Sequence, residues 1–308
     1  MAGIEATVPA RARRPADLIG RILENPHALG VLMVTPAVLI LAIFLAYPFG
    51  LGVWLGFTNA TIGQAGHFVG LGNFRYLLGD SVFRLAVLNT ILYAASAVVC
   101  KLLLGMLLAL LVNREFRGKR IVRAIMLLPW IVPTSLSALV FYWIYDPTFS
   151  VITWALRRIG LAHGFINYLG DPNLARASLI AANIWRGIPF FAIGLLAGLQ
   201  TVSTTLYEAA EIDGAGPWQK FWFVTWPLLL PLTVVVTVFS TIMTVGDFQL
   251  IWIITRGGPA NATHLFGTLA YQRAIQGGFI GEGAAISAFV LPVLVGAVLV
   301  SFHYLRRE

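Results

Sequence analysis

Charged residues are scarce in this sequence: they make up 11% of its 308 residues, where a soluble globular domain carries about 25%. That scarcity excludes an ordinary soluble enzyme. Cysteine is scarcer still. The one cysteine, Cys100, lies inside an apolar run and excludes an intrachain disulfide, so it reads as a small packing residue. No stretch has the Gly-x-x-x-x-Gly-Lys-Ser/Thr spacing that cradles nucleotide phosphates. The histidines, His27, His67, His163, His264 and His303, are scattered without cysteine or carboxylate partners at ligand spacing, so no metal site is expected. No basic patch with interleaved aromatics occurs in a polar segment, which excludes nucleic acid as a partner.

What is present is apolar. Hydrophobic residues reach 58% and the mean hydropathy is +0.83, gathered into runs long enough to cross a bilayer at about 20 residues each. The polar N-terminal segment, residues 1–27, has no apolar region followed by a small-residue cleavage site, so a removable signal peptide is not expected. Six spans are predicted within a membrane domain over residues 28–305, at about 28–57, 85–112, 121–145, 177–199, 226–245 and 284–304. The expected fold class is an all-α integral membrane protein. The segment between the fifth and sixth spans carries Gly257, Gly258, Pro259, Gly277, Gly278, Gly281 and Gly283. It is too broken for a regular spanning helix and reads as an outer loop or a partly re-entrant one.

Orientation follows from the basic residues. Twelve lie on the side of the N-terminus, five of them in the short loop Asn113 to Arg123, against seven spread over longer loops on the other side. Both termini are therefore predicted to be cytoplasmic.

One cytoplasmic loop breaks that charge pattern. Residues 200–227, between spans four and five, hold Glu208, Glu211 and Asp213. The predicted structure is a short helix with Thr204 or Thr205 as N-cap and Glu208 closing a capping box. Ala209 and Ala210 are strong helix formers, Gly214 supplies a left-handed stop, and Pro217 starts a second helix. The result is a two-helix elbow with small side chains that permit close docking. A plain helical connector is the alternative on physical grounds alone.

Glu208-Ala209-Ala210, then Asp213-Gly214-Ala215, then Val224-Thr225-Trp226-Pro227 resembles the EAA loop of ATP-binding-cassette importer permeases. Gly214 is six residues after Glu208 and Pro227 thirteen after Gly214, at the family's spacing, with Val224 and Trp226 in place of its usual Ile and Leu. Leu88-Asn89-Thr90 and Thr255-Arg256-Gly257-Gly258-Pro259 likewise resemble segments of carbohydrate-importer permeases, MalF-like or UgpA-like.

The resemblance implies a transport subunit, not an enzyme, in a bacterial-type inner (cytoplasmic) membrane. It implies a second, MalG-like permease, two ATPase subunits that use ATP and Mg, and an extracytoplasmic sugar-binding protein, with no cofactor on this chain. Glu208, Ala209, Ala210, Asp213, Gly214 and Pro227 would form the ATPase-coupling surface. Polar residues inside spans are expensive and are candidates for the substrate path: Asn183, Trp185 and Arg186 in span four, and Asp247, Gln249 and Trp252 at the end of span five. The alternatives are an interhelical hydrogen-bond pair with a snorkelling Arg186, and an Asp247 satisfied at the outer interface by water or the backbone near Gly246. Lys101, the one charge of span two, is expected to form a structural link or to snorkel, or else to pair with Asp247 or line a cavity. An ion-coupled secondary carrier and an intramembrane enzyme are the alternatives. The first would usually show internal repeats, the second converging carboxylates or histidines, and neither pattern is seen.

Overall fold

The computed structural model describes residues 25–305. Among these residues every regular element is helical, and the β-bridges are isolated pairs, Thr58 with Phe68 and Thr61 with Gln64. The chain divides into two compact units, Met1–Trp54 and Leu55–Glu308.

In the first unit, α1 (Pro26–Leu41) begins on Asn25, whose side chain accepts from the backbone N–H groups of His27 and Ala28 at 3.0 and 3.5 Å. Pro26 fits the first helical position because its missing N–H would have had no partner there. A π-helical turn, Ala42–Ala46, leads into α2 (Tyr47–Gly56). The cause is Pro48: with no N–H to give, it interrupts the ordinary ladder, and the N–H of Tyr47 reaches back to Ala42 instead.

In the second unit, α3 (Gly72–Gly79) precedes α4 (Ser81–Asn113), which has 33 residues. Helix α4 starts earlier than the apolar run because the Asp80 carboxylate accepts from Val82 N–H at 2.8 Å and caps it. The third expected span is a bent pair: α5 (Lys119–Ile131) and α6 (Thr134–Ile144) meet at 91°. Pro133 explains the break, since it forces the preceding Val132 out of the helical region to φ −64, ψ 128. After α7 (Val151–Arg158), α8 (Pro172–Leu199) starts on an Asp171 cap with Pro172 at its first position.

Then follow α9 (Thr204–Ile212), α10 (Pro217–Lys220), a π-helical turn Phe221–Thr225 and α11 (Trp226–Val245). This π turn ends two residues before Pro227, as the first does before Pro48, and for the same reason. From Pro217 to Ile254 the chain forms a 38-residue apolar helical stretch, interrupted at residues 246–248 before α12 (Gln249–Ile254). The last elements are α13 (Phe266–Tyr271), a π turn Gln272–Gln276, α14 (Ile280–Ala288) and α15 (Val290–Leu305). Among the described residues five helical stretches are long and apolar enough to cross a membrane, six if the bent pair counts as one. This is the all-helical membrane architecture expected from the sequence.

One core cluster of the second unit lies between α4, α8 and α11, where Met106, Ala109 and Val112 pack with Phe191, Leu195, Leu199 and Leu229. Small residues allow the approach. Gly194 and Gly198, four residues apart, face α11, against Val236 and against Leu229 and Leu232.

Candidate substrate cavity and coupling elbow

A cavity of about 220 Å3 opens where the bend between α5 and α6 leaves room against α4, α8 and the end of α11. Trp130 and Thr134 line it from the bend, Lys101 from α4, and Asn183, Arg186 and Phe190 from α8. Phe239, Ser240 and Thr244 line it from α11, with Asp247, Phe248 and Gln249 from the interruption beyond. Arg186 lies fourteen residues into α8, about 21 Å from the start of that helix at the α-helical rise. The cavity is therefore near the middle of the span, where transporters build their sites at broken helices.

Its polar groups form a connected network. Lys101 Nζ donates to Asn183 Oδ1 at 2.9 Å and to Thr244 Oγ1 at 2.8 Å. Asn183 Nδ2 donates to Asp247 Oδ2 at 2.9 Å, and the Tyr93 hydroxyl donates to the same oxygen at 2.8 Å. The other carboxylate oxygen accepts from Leu250 N–H at 3.4 Å. Lys101, Asn183 and Asp247 are all buried, at 3%, 5% and 9% exposure. A buried charge needs such partners. Lys101 and Asp247 do not touch: the amide of Asn183 stands between them. Asp247 is thus inside the bundle and held by side chains.

Of the residues expected on the substrate path, Asn183, Arg186, Asp247 and Gln249 line this cavity. Trp185 is exposed and packs edge-on against Phe141 at 5.3 Å. Trp252 stacks on Phe248 at 5.6 Å and meets Tyr271 at 4.8 Å, one ring behind the wall. Tyr93, Thr244, Trp130, Phe190 and Phe239 carried no signal in the sequence, since a hydroxyl or ring in an apolar run reads as packing. Lys101 did carry one, as the sole charge of its run.

The elbow forms, with one correction at its start. Ser203, not Thr204 or Thr205, is the N-cap of α9, accepting from Thr205 N–H at 3.3 Å. Glu208 lies further along the helix and closes no capping box. The cap falls at Ser203 because its backbone is extended there, at φ −65 and ψ 135. Gly214 takes φ +80 as expected, with the N–H of Ala215 reaching Ala210 O at 2.8 Å. Pro217 opens α10. The Tyr207 hydroxyl shares a hydrogen bond of 2.9 Å with Thr225, and Lys220 pairs with Glu211 at 3.2 Å, so α9 is tied to the π turn. Glu208, Ala209, Asp213 and Gly214 stay exposed, beside Ile212 at 88%.

A third cluster joins two sequence segments that are far apart in the chain. Asn89 Nδ2 donates to His264 O at 3.3 Å, and Thr90 Oγ1 accepts from Phe266 N–H at 3.3 Å. Arg176 Nε donates to both Asn89 Oδ1 and Ala262 O, each at 2.9 Å. The Leu88-Asn89-Thr90 motif thereby anchors the loop that follows Gly257-Gly258-Pro259. His264 is buried under Gly257, with Nδ1 at 3.2 Å from Thr268 Oγ1, and burial pushes its pKa down to about 4. Among the described residues no group of three or more His, Cys, Asp or Glu side chains is placed to hold a metal ion.

Residues 101–305 match the family described as binding-protein-dependent transport system inner membrane component. The chain belongs to this family. It is a multi-pass permease of the ABC sugar-importer kind, a transport component and not an enzyme. The permease is 33% identical over 294 residues to the trehalose/maltose transport system permease protein MalF of Thermococcus litoralis, covering 95% of this chain and 99% of that one. It is 34% identical to the sulfoquinovosyl glycerol transport system permease protein SmoG of Agrobacterium fabrum, over 88% of each. Its fold matches a chain of a bacterial alginate ABC transporter crystallised with an alginate pentasaccharide-bound periplasmic protein. The TM-score is 0.79 at 25% identity, over 96% of this chain and 98% of that one.

Proposed function

We propose that this permease is one half of the membrane path of an ATP-driven importer. It would receive a sugar or sugar derivative from an extracytoplasmic binding protein and pass it inward by alternating access. A second homologous permease forms the other half, two ABC ATPase subunits bind ATP and Mg, and both termini of this chain face the cytoplasm in an inner membrane. The names of the relatives, which carry disaccharides and a sugar derivative, support a carbohydrate substrate.

The observation that carries the reading is the unbroken helical run from Pro217 to Val245. The second arm of the elbow is the start of the helix whose far end supplies Thr244 and, just beyond it, Asp247 to the cavity. A displacement of the elbow is carried along that helix to the polar network, a rigid-body coupling of the kind that drives alternating access. Glu208, Ala209, Ala210, Asp213 and Gly214 form the docking face for the ATPase, and Pro227 sets the π turn that joins elbow to span. In the cavity Asn183, Asp247 and Gln249 meet sugar hydroxyls, and Phe248, backed by Trp252, offers a ring face. Trp185 supports the α8 side of the path through Phe141.

Two measurements test this. The chain, purified in mild detergent, should bring down an ATPase and a second permease. Gly214→Pro, whose ring fixes φ at about −65 against the +80 of this turn, should leave the protein inserted and assembled yet abolish stimulation of the ATPase by the binding protein. A lone, active protein, or normal transport in the variant, overturns the coupling role.

A further inference from the structure

The charges of the cavity do not balance. Lys101 and Asp247 share Asn183 and offset one another, whereas Arg186 lines the same cavity and makes no ion pair and no hydrogen bond among the described residues. Its Nε is fully buried without a partner. The Asp247 carboxylate is already engaged by Tyr93, Asn183 and Leu250. A guanidinium held near the middle of a span is costly, and its forked donors match a carboxylate, sulfonate or phosphate. Beside it, Trp130 stacks on Phe190 at 5.2 Å and Phe190 meets Phe239 at 5.5 Å, which gives an aromatic wall for the C–H face of a sugar ring.

We propose that Arg186 receives an anionic substituent of the transported sugar, so that this permease carries acidic sugars in preference to neutral ones. The proposal deepens the sugar-permease reading and rests on it. Copurification and coupling through Gly214 do not involve Arg186, so their failure marks the failure of that reading and not of this one.

The test uses the full chain in lipid nanodiscs with the subunits that copurify with it. The probes are galacturonate, galactose 6-sulfate and glucose 6-phosphate, against galactose and glucose, with inorganic phosphate and sulfate as ion controls. Binding is read by quenching of tryptophan fluorescence, since Trp130 lines the cavity. Acidic sugars should bind about tenfold or more tighter than their neutral counterparts, the range of a charge-assisted hydrogen bond. Arg186→Gln should remove the difference and Arg186→Lys should restore part of it. A readout independent of variants is phenylglyoxal modification of Arg186 in the wild type, followed by peptide mass spectrometry. Galacturonate should slow it at least threefold where galactose does not. Equal affinity for acidic and neutral sugars, equal protection by inorganic phosphate, or no protection by any acidic sugar overturns the proposal.

Discussion

Lys101 and Asp247 are linked through a neutral residue: the Asn183 amide accepts from the lysine at 2.9 Å and donates to the carboxylate at 2.9 Å. The ammonium and carboxylate come from α4 and from the break after α11, and the amide from α8. Three segments far apart in the chain are thereby connected by side chains.

Removal of the bridge should be destabilising. Asn183→Ala leaves both Lys101 Nζ and the Asp247 carboxylate short of one partner, a loss of about 1–3 kcal/mol for each group left unsatisfied. Thermal unfolding of the purified protein should shift to lower temperature in Asn183→Ala, and Asp247→Asn should disturb it less because the amide still accepts from Tyr93. An unchanged unfolding temperature in Asn183→Ala would show that the bridge contributes nothing.

The elbow should respond in order of backbone strain. Gly214 holds φ +80, where a Cβ costs about 1–2 kcal/mol and asparagine is tolerated better than alanine or valine. Stimulation of the ATPase by the binding protein should therefore fall in the series Gly214→Asn, Gly214→Ala, Gly214→Val, with assembly retained. A flat series would separate coupling from the shape of this turn.

The loop after Gly257-Gly258-Pro259 depends on one guanidinium. Arg176→Ala removes the bonds to Asn89 Oδ1 and to Ala262 O, so hydrogen exchange at residues 257–265 should quicken while exchange in the elbow stays as it was. Protection equal to that of the wild type would assign the loop's order to Asn89 and Thr90 alone.

Acid should weaken the folded protein through His264. Its pKa is lowered by burial to about 4, below the ordinary 6.5, so between those values the unfolded chain binds a proton that the folded one refuses. Stability is then full above about pH 6.5 and declines as the pH falls towards 4. Over that window the unfolding temperature should fall more steeply for the wild type than for His264→Gln, and parallel curves would exclude the histidine as the cause.

Much of this was legible in the linear chain because the bilayer enforces it. Long uncharged runs must be helices in lipid, since no water satisfies an open backbone, and so the helical stretches at Ser81–Asn113 and Pro172–Leu199 follow the apolar pattern closely. The elbow was legible for a local reason: a Gly that must go left-handed and a Pro at a helix start act within a few residues. The Ser203 cap was misplaced by one or two residues because three consecutive candidates, Ser203, Thr204 and Thr205, have the same capping chemistry, and only the backbone dihedral chooses among them.

What the sequence by itself determined is the solvent, the helical class and the elbow, all of them properties of short segments or of composition. The tertiary structure alone decided which rare polar residues meet. Asn183 lies 82 residues from Lys101 and 64 from Asp247, and Asn89 lies 175 from His264, separations over which no periodicity carries information. It also decided that Arg186 has no hydrogen-bond or ion-pair partner among the described residues, because charge balance in a cavity is a sum over helices that only packing brings together.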